Sequence, residues 1–301
     1  MERYFSPVDA LYRELRPHAF AVAYRMLGSV SEAEDVAQDT FVRIQKAAPT
    51  DMASPKAFTT TVAARLAIDR LRSARARRET YLGPWLPEPM VGPVELDDEP
   101  ADEGTLSMAV LVLLESLSPV ERAVFVLRES FQVDYEEIAR IVEKTEEHCR
   151  QIATRARRQV AAKRPRFEAS AERRETLARR FLAAVTTGDL TELTALLARD
   201  AAFHGDGGGK AKAFPRPIVG ADAVARLLIG LAAKVRSLGA IVEPALVNGQ
   251  PGALVRDAQG RLISVLALDV HADGAVHTVR SVVNPEKLGH LGPLSDYGRL
   301  G

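Results

Sequence analysis

The chain has 301 residues, formal net charge +0, 47% apolar and 27% charged residues, which fits two or three globular domains with real cores. Its single cysteine, Cys149, excludes an intramolecular disulfide and a thiolate metal cluster, and no apolar run is long enough to span a bilayer. The neutral total hides blocks of opposite sign. Basic tracts (Arg65, Arg70, Arg72, Arg75, Arg77, Arg78; and Arg150, Arg155, Arg157, Arg158, Lys163, Arg164, Arg166) flank an acidic one (Glu95, Asp97, Asp98, Glu99, Asp102, Glu103), so phosphate contact stays open.

Residues 8–81 read as helices only. Ser31 with Glu34 forms a capping-box pattern. On the helix that follows, Ala33, Val36, Ala37, Thr40 and Ile44 share one face, and Asp35, Gln38, Asp39 and Val42 share the other. Ser54-Pro55 starts the next helix. Two apolar rows run along it (Phe58, Val62, Leu66; Ala64, Ala67, Ile68, Leu71), with Thr61, Arg65 and Arg72 between them.

Residues 81–104 form a different material, rich in acids and broken by Pro84, Pro87, Pro89, Pro93 and Pro100. This is expected to be an extended, mobile linker. It carries the only tryptophan, Trp85, beside Leu82 and Leu86, a cluster that predicts docking on a neighbouring domain.

Residues 105–166 return to helix. Ser118, Pro119 and Glu121 mark a strong helix start. The stretch 134–167 then reads as helix, tight turn and second helix. On the second helix Cys149, Ile152, Ala153, Ala156 and Val160 fall on one narrow face, with Glu147, Gln151, Thr154 and Arg158 opposite. A helix of this kind packs on its partner while presenting polar side chains to a major groove.

Beyond 167, helices are predicted at 173–187, 190–198 and 221–236, and strands at 240–247, 252–256, 262–270 and 275–283. The turns Asn248-Gly249 and Asp273-Gly274 suit hairpins. Helices followed by an antiparallel meander predict an α+β domain with one sheet face covered by helices.

Two of these segments resemble a known family. SEAEDVAQDTFVRI followed by KAFTTTVAARLAIDRLRSARARRE is similar to region 2 of bacterial sigma factors of the extracytoplasmic-function group, and LSPVERAVFVLRESFQVDYEEIARIVEKTEEHCRQIATRARRQV is similar to their region 4. The resemblance implies core RNA polymerase as partner through Asp35, Gln38, Asp39 and Val42. It implies contact with a single-stranded −10 element through Thr61, Arg65, Asp69 and Arg72, with the 47–53 loop as base pocket, and with a duplex −35 element through Arg150, Gln151, Thr154, Arg155 and Arg158. Arginines beyond Arg155 are read as phosphate contacts, which position without specifying. Phe58 departs from the common tryptophan, and Ala64-Arg65 from the common Arg-Asn.

From about residue 169 the chain resembles the SnoaL-like, NTF2-type fold. Sigma factors of the SigJ-like type carry such an extension, with strings like YLGPWLPEP, DGGGK and NPxKL, here at 81–89, 206–210 and 284–288. The resemblance implies a regulator acting in cis, with Trp85, Leu86, Asp206, Gly208, Lys210, Asn284, Pro285 and Lys287 as interdomain residues. The expected layout is region 2 at 1–80, linker at 81–104, region 4 at 105–168 and regulatory domain at 169–301. The fold class is thus multidomain: two all-α sigma domains plus one α+β domain.

A helix-turn-helix regulator carrying a ligand-sensing or enzymatic NTF2-like domain is the alternative; His204, Asp206, Asp269, His271 and His277 are its titratable candidates. A small-molecule ligand in the C-terminal domain is admitted as a possible partner. No cofactor, metal site, membrane partner or enzymatic activity is expected. The first residues lack the basic-then-apolar layout of a secretory signal, so cytoplasmic residence is the expectation.

Overall fold

The computed structural model describes residues 7–46, 54–92, 107–163, 170–237 and 239–298. The 47–53 loop, the acidic block at 95–103 and the side chains of the basic residues at 75–78 and 163–166 lie outside the described set. The chain divides into two compact units, one formed by 1–79, 95–106 and 110–164, the other by 80–94, 107–109 and 165–301.

In the first unit α1 (Pro7–Leu27), α2 (Val30–Lys46) and α3 (Pro55–Glu79) pack as a bundle. The buried residues of α2 are Ala33, Val36, Ala37, Thr40 and Ile44, the face that the 3.6-residue period predicts. Its start lies earlier than expected. Ser29, not Ser31, accepts from the backbone of Glu32 at 3.2 Å, because Gly28 with φ 65 ends α1 and lets the chain turn at once. Ser54 accepts from Ala57 at 3.2 Å and opens α3 with Pro55 in its first turn.

After the short α4 (Met108–Leu114) come α5 (Pro119–Phe131), α6 (Tyr135–Val142) and α7 (Glu146–Lys163). Ser118 and Glu121 complete the capping box of α5. The Ser118 bonds, opposed only by burial, hold the Glu121 carboxyl below its ordinary range. Between α6 and α7 the left-handed residue is Glu143, φ 57, where glycine or asparagine is usual. Cys149, Ile152, Ala153, Ala156 and Val160 of α7 are all buried.

The second unit holds α8 (Ala171–Thr187), α9 (Leu190–Leu196), β1 (Leu197–Asp206), β2 (Ile218–Val219), α10 (Ala221–Arg236), β3 (Ile241–Val247), β4 (Gln250–Arg256), β5 (Leu262–Val270) and β6 (Val276–Val282). Among the described residues these strands form a six-stranded sheet in the order β2-β1-β6-β5-β4-β3. β3 to β6 form the predicted antiparallel meander, whereas β1 lies parallel to β6 and has no counterpart in the sequence reading. The reason is local: LARDAAFHGD is rich in alanine, shows no clean alternation, and shifts register between Leu197 and Ala202. Phe203 and Val279 join the core formed with α8, α9 and α10. By strand alternation Asp206 and Val282 point from the other face. The arrangement is α+β, with helices packed over one face of the sheet.

Candidate nucleic-acid interface and its tether

On α7 the expected reading residues Arg150, Gln151, Thr154, Arg155 and Arg158 are all exposed, one side of a helix whose other side is core. Two are partly ordered from within. Arg150 pairs with Glu146 and lies over the Tyr135 ring at 5.2 Å, and Thr154 donates to the Arg150 carbonyl at 2.8 Å. Arg157, expected on phosphate, donates to Glu129 of α5 at 2.8 Å, which raises its pKa. It therefore also ties α7 to α5.

The α3 face differs. Thr61 donates to Glu137 of α6 at 3.4 Å, and the Arg65 guanidinium donates to the Arg140 carbonyl at 2.8 Å. Nearby, Phe131 of α5 meets the edge of His18 at 5.5 Å and the Arg25 guanidinium at 4.9 Å. The helical segment carrying the expected −35 reader thus packs on the face expected to read the −10 element. Asp69 and Arg72 are exposed and paired to each other at 3.1 Å. Glu137 and Arg140 were not singled out from the sequence, since on α6 they read as ordinary solvated charges.

The expected polymerase face of α2 is open. Gln38 is exposed, and Val42, 46% exposed, is a large apolar side chain left in solvent. Asp35 and Asp39 are exposed but both grip Arg70 of α3, at 3.1 and 3.0 Å. Arg70 therefore fixes their spacing.

The 81–92 segment is no free tether. It runs along the second unit and ends in strand-like pairing: Gly92 donates to the Leu246 carbonyl at 3.0 Å, and Asn248 donates to the Met90 carbonyl at 2.8 Å. Its anchor is Asp206, fully buried. Asp206 accepts from the Tyr81 hydroxyl at 2.5 Å, from the Leu86 backbone at 2.7 Å and from Lys287 at 2.7 Å. Burial first, then the Asp206 charge, push the Tyr81 phenol far above its ordinary pKa, so it stays a donor. Lys287 also donates to the Leu86 carbonyl at 2.5 Å and sits 4.3 Å from the Trp85 ring centroid.

Asn284 donates to the Tyr81 hydroxyl at 2.8 Å and caps the 3-10 turn that begins with Pro285, accepting from Glu286 at 3.0 Å. Gly208 has φ +55, and a Cβ there would lie 2.2 Å from the Asn284 amide, so only glycine lets this loop close. Lys210 pairs with Glu286 at 3.3 Å on the rim. The eight expected interdomain residues thus gather around one knot. Tyr81 belongs to it as well, and Asn248 holds the segment's far end at Met90; neither was among them, since the sequence marks Asn248-Gly249 only as a hairpin turn.

Of the titratable candidates for enzymatic chemistry, Asp206 is spent on the knot. Burial and then Arg280 lower the His204 pKa. His271 and His277 stack at 3.7 Å, and His277 bonds Asp273 at 2.7 Å. Among the described residues no cluster of metal-ligating side chains is present, and no described helix is long and apolar enough to cross a membrane.

Comparison with known proteins agrees with both halves. Residues 11–77 match the model of sigma-70 region 2, and residues 107–160 match that of sigma-70 region 4. The chain is 37% identical over 287 residues to the ECF RNA polymerase sigma factor SigJ of Mycobacterium tuberculosis (strain ATCC 25618 / H37Rv), covering 92% of this chain and 91% of that one. It is 31% identical over 288 residues to the probable ECF RNA polymerase sigma factor SigI of Mycobacterium tuberculosis (strain CDC 1551 / Oshkosh), covering 95% and 96%. The crystal structure of Mycobacterium tuberculosis SigJ superposes with TM-score 0.75 at 33% identity, covering 95% of this chain and 99% of that one. With both sigma regions matched in order and the likeness running the length of the chain, this protein belongs to the extracytoplasmic-function RNA polymerase sigma factors.

Proposed function

We propose that this sigma factor docks on core RNA polymerase through Asp35, Gln38, Asp39 and Val42 and reads a duplex −35 element with Arg150, Gln151, Thr154, Arg155 and Arg158. Thr61, Arg65, Asp69 and Arg72 hold the separated −10 strand, and the C-terminal domain regulates this in cis. The proposed layout keeps region 2 at 1–80, the linker at 81–104, region 4 at 105–168 and the regulator at 169–301. The protein works in the cytoplasm as a specificity factor and catalyses no reaction of its own.

The observation that carries the regulatory part is the buried Asp206–Lys287 pair clamped on the Leu86 backbone. It fastens the connection between regions 2 and 4 to the C-terminal domain. A tethered domain acts at an effective concentration of the millimolar order. Weak contacts that favour one arrangement of the two sigma regions then suffice to bias it.

Run-off transcription with core enzyme, comparing the full chain with one ending at residue 168, tests this. A several-fold change in promoter-specific transcript is expected. Equal transcript from the two chains would remove cis regulation while leaving the sigma assignment intact.

A further inference from the structure

The helix-covered face of the sheet holds a cavity of about 240 Å³ that the knot does not use. Its walls are apolar: Phe181, Leu182, Phe203, Leu228 and Leu266 line it. At its lining stand two exposed large hydrophobics, Phe214 (37%), edge-on to Phe203 at 6.1 Å, and Leu231 (38%). Such side chains left in water around a recess favour an apolar occupant.

The charged groups are few and of one sign. Lys212 and Lys234 line the cavity, and among the described residues no aspartate or glutamate does. Both lysines are exposed and border the Tyr297-Gly298 turn: the Lys212 backbone donates to the Gly298 carbonyl at 2.8 Å, and the Lys234 ammonium lies 5.9 Å from the Tyr297 ring centroid. Deeper in, Ser264 and Ser281 put small polar side chains among the apolar walls. The volume falls just below the ~300–1,000 Å³ of sites for drug-sized ligands. One ring or a short alkyl chain fits.

We infer that this cavity binds a small apolar carboxylate, body inside and carboxylate at the two lysines, and that its occupancy is felt by the linker. The second part rests on the proposed role of the knot. Gly205, Ala211 and Val283 line the cavity, while their chain neighbours Asp206, the 207–210 loop and Asn284 hold Tyr81 and Leu86. Ligand and linker thus lie on opposite sides of the same two strand ends. Seating a rigid body against Gly205 and Val283 changes the freedom of the residues that grip Leu86.

The test uses the full-length protein with 3-phenylpropionate and octanoate, and their primary amides as neutral counterparts, by thermal shift and by emission of Trp85, the only tryptophan. The carboxylates are expected to raise Tm at millimolar concentration and to alter Trp85 emission. The amides bind about tenfold more weakly, as does either carboxylate to the Lys212→Met/Lys234→Met double variant. Both lysines are exposed, so the variant folds as the parent does. No stabilisation by any probe, or equal binding of acid and amide, overturns the site. Unchanged binding to the double variant overturns the role of the lysines. Stabilisation with unmoved Trp85 emission overturns the coupling. None of these readouts involves polymerase, so a failure here is separate from a failure of the truncation experiment.

Discussion

Two of the molecule's polar fastenings, one in each unit, are built from opposite materials. Around Asp206 the charges are buried, every neighbouring donor is spent, and a glycine has been cut to fit. Between α3 and α6 the hydrogen bonds are a half-buried 3.4 Å hydroxyl–carboxylate bond and one exposed guanidinium–carbonyl bond. Buried charge is costly to separate, because each partner left behind stays desolvated. Exposed polar contacts exchange with water at almost no cost. If polymerase and DNA compete for the α3 face as proposed, the α3–α6 contact is expected to give way while the linker stays fastened.

Breaking the first fastening gives the largest effect. Asp206→Ala strands a buried ammonium and should cost about 3–5 kcal/mol, the range for an orphaned partner of a buried pair. Urea unfolding measures it, and Trp85 emission in the native baseline shows whether the linker has come away. Adding Lys287→Met to Asp206→Ala should recover part of the loss, since no unpaired charge remains. If the double variant costs the sum of the two singles, the pair is not coupled and the contrast drawn above fails.

Gly208→Val probes the same fastening through its backbone. The left-handed φ of +55 disfavours any side chain, a β-branched one above all, and its Cβ would run into the Asn284 amide. A loss of about 1–3 kcal/mol is expected, with Trp85 emission moved toward that of Asp206→Ala. By contrast Gly260→Val, also at positive φ (+75) but with no atom within 4 Å of its Cβ, should lower stability by the backbone strain alone and leave Trp85 emission unmoved.

Why one fastening was legible in the sequence and the other was not follows from the same physics. The knot is written in residues that ordinary surfaces do not need: a lone tryptophan in a proline-rich stretch, three consecutive glycines, a capped NPEK turn. Periodicity equally gave the buried faces of α2 and α7, because helix cores repeat every 3.6 residues. It missed β1, whose alanines and register shift hide the alternation, and placed the cap of α2 two residues late, since serines at 29 and 31 look alike until Gly28 is seen to turn the chain. The α3–α6 contact was invisible, because Thr61, Arg65, Glu137 and Arg140 are the residue types of any solvated helix. The exposed face of α7 was legible, but the role of Arg157 in tying it to α5 was not.

Breaking the second fastening should barely register in stability. Glu137→Ala removes only the acceptor of a long, half-buried bond, so its stability should stay within about 1 kcal/mol of the parent. Its consequence belongs to function. If α6 screens the −10 face, loosening it at Glu137 should raise run-off transcript from full-length protein, with −35 duplex affinity, measured separately, unchanged. Mutating Arg65 instead would confuse the two effects, since it is itself proposed to touch the separated strand. A fall in stability as large as that of Asp206→Ala would show the contact to be structural rather than yielding. Unchanged transcript would show that α6 does not limit access to α3, and the Arg65 bond to the Arg140 carbonyl would then be an incidental surface contact.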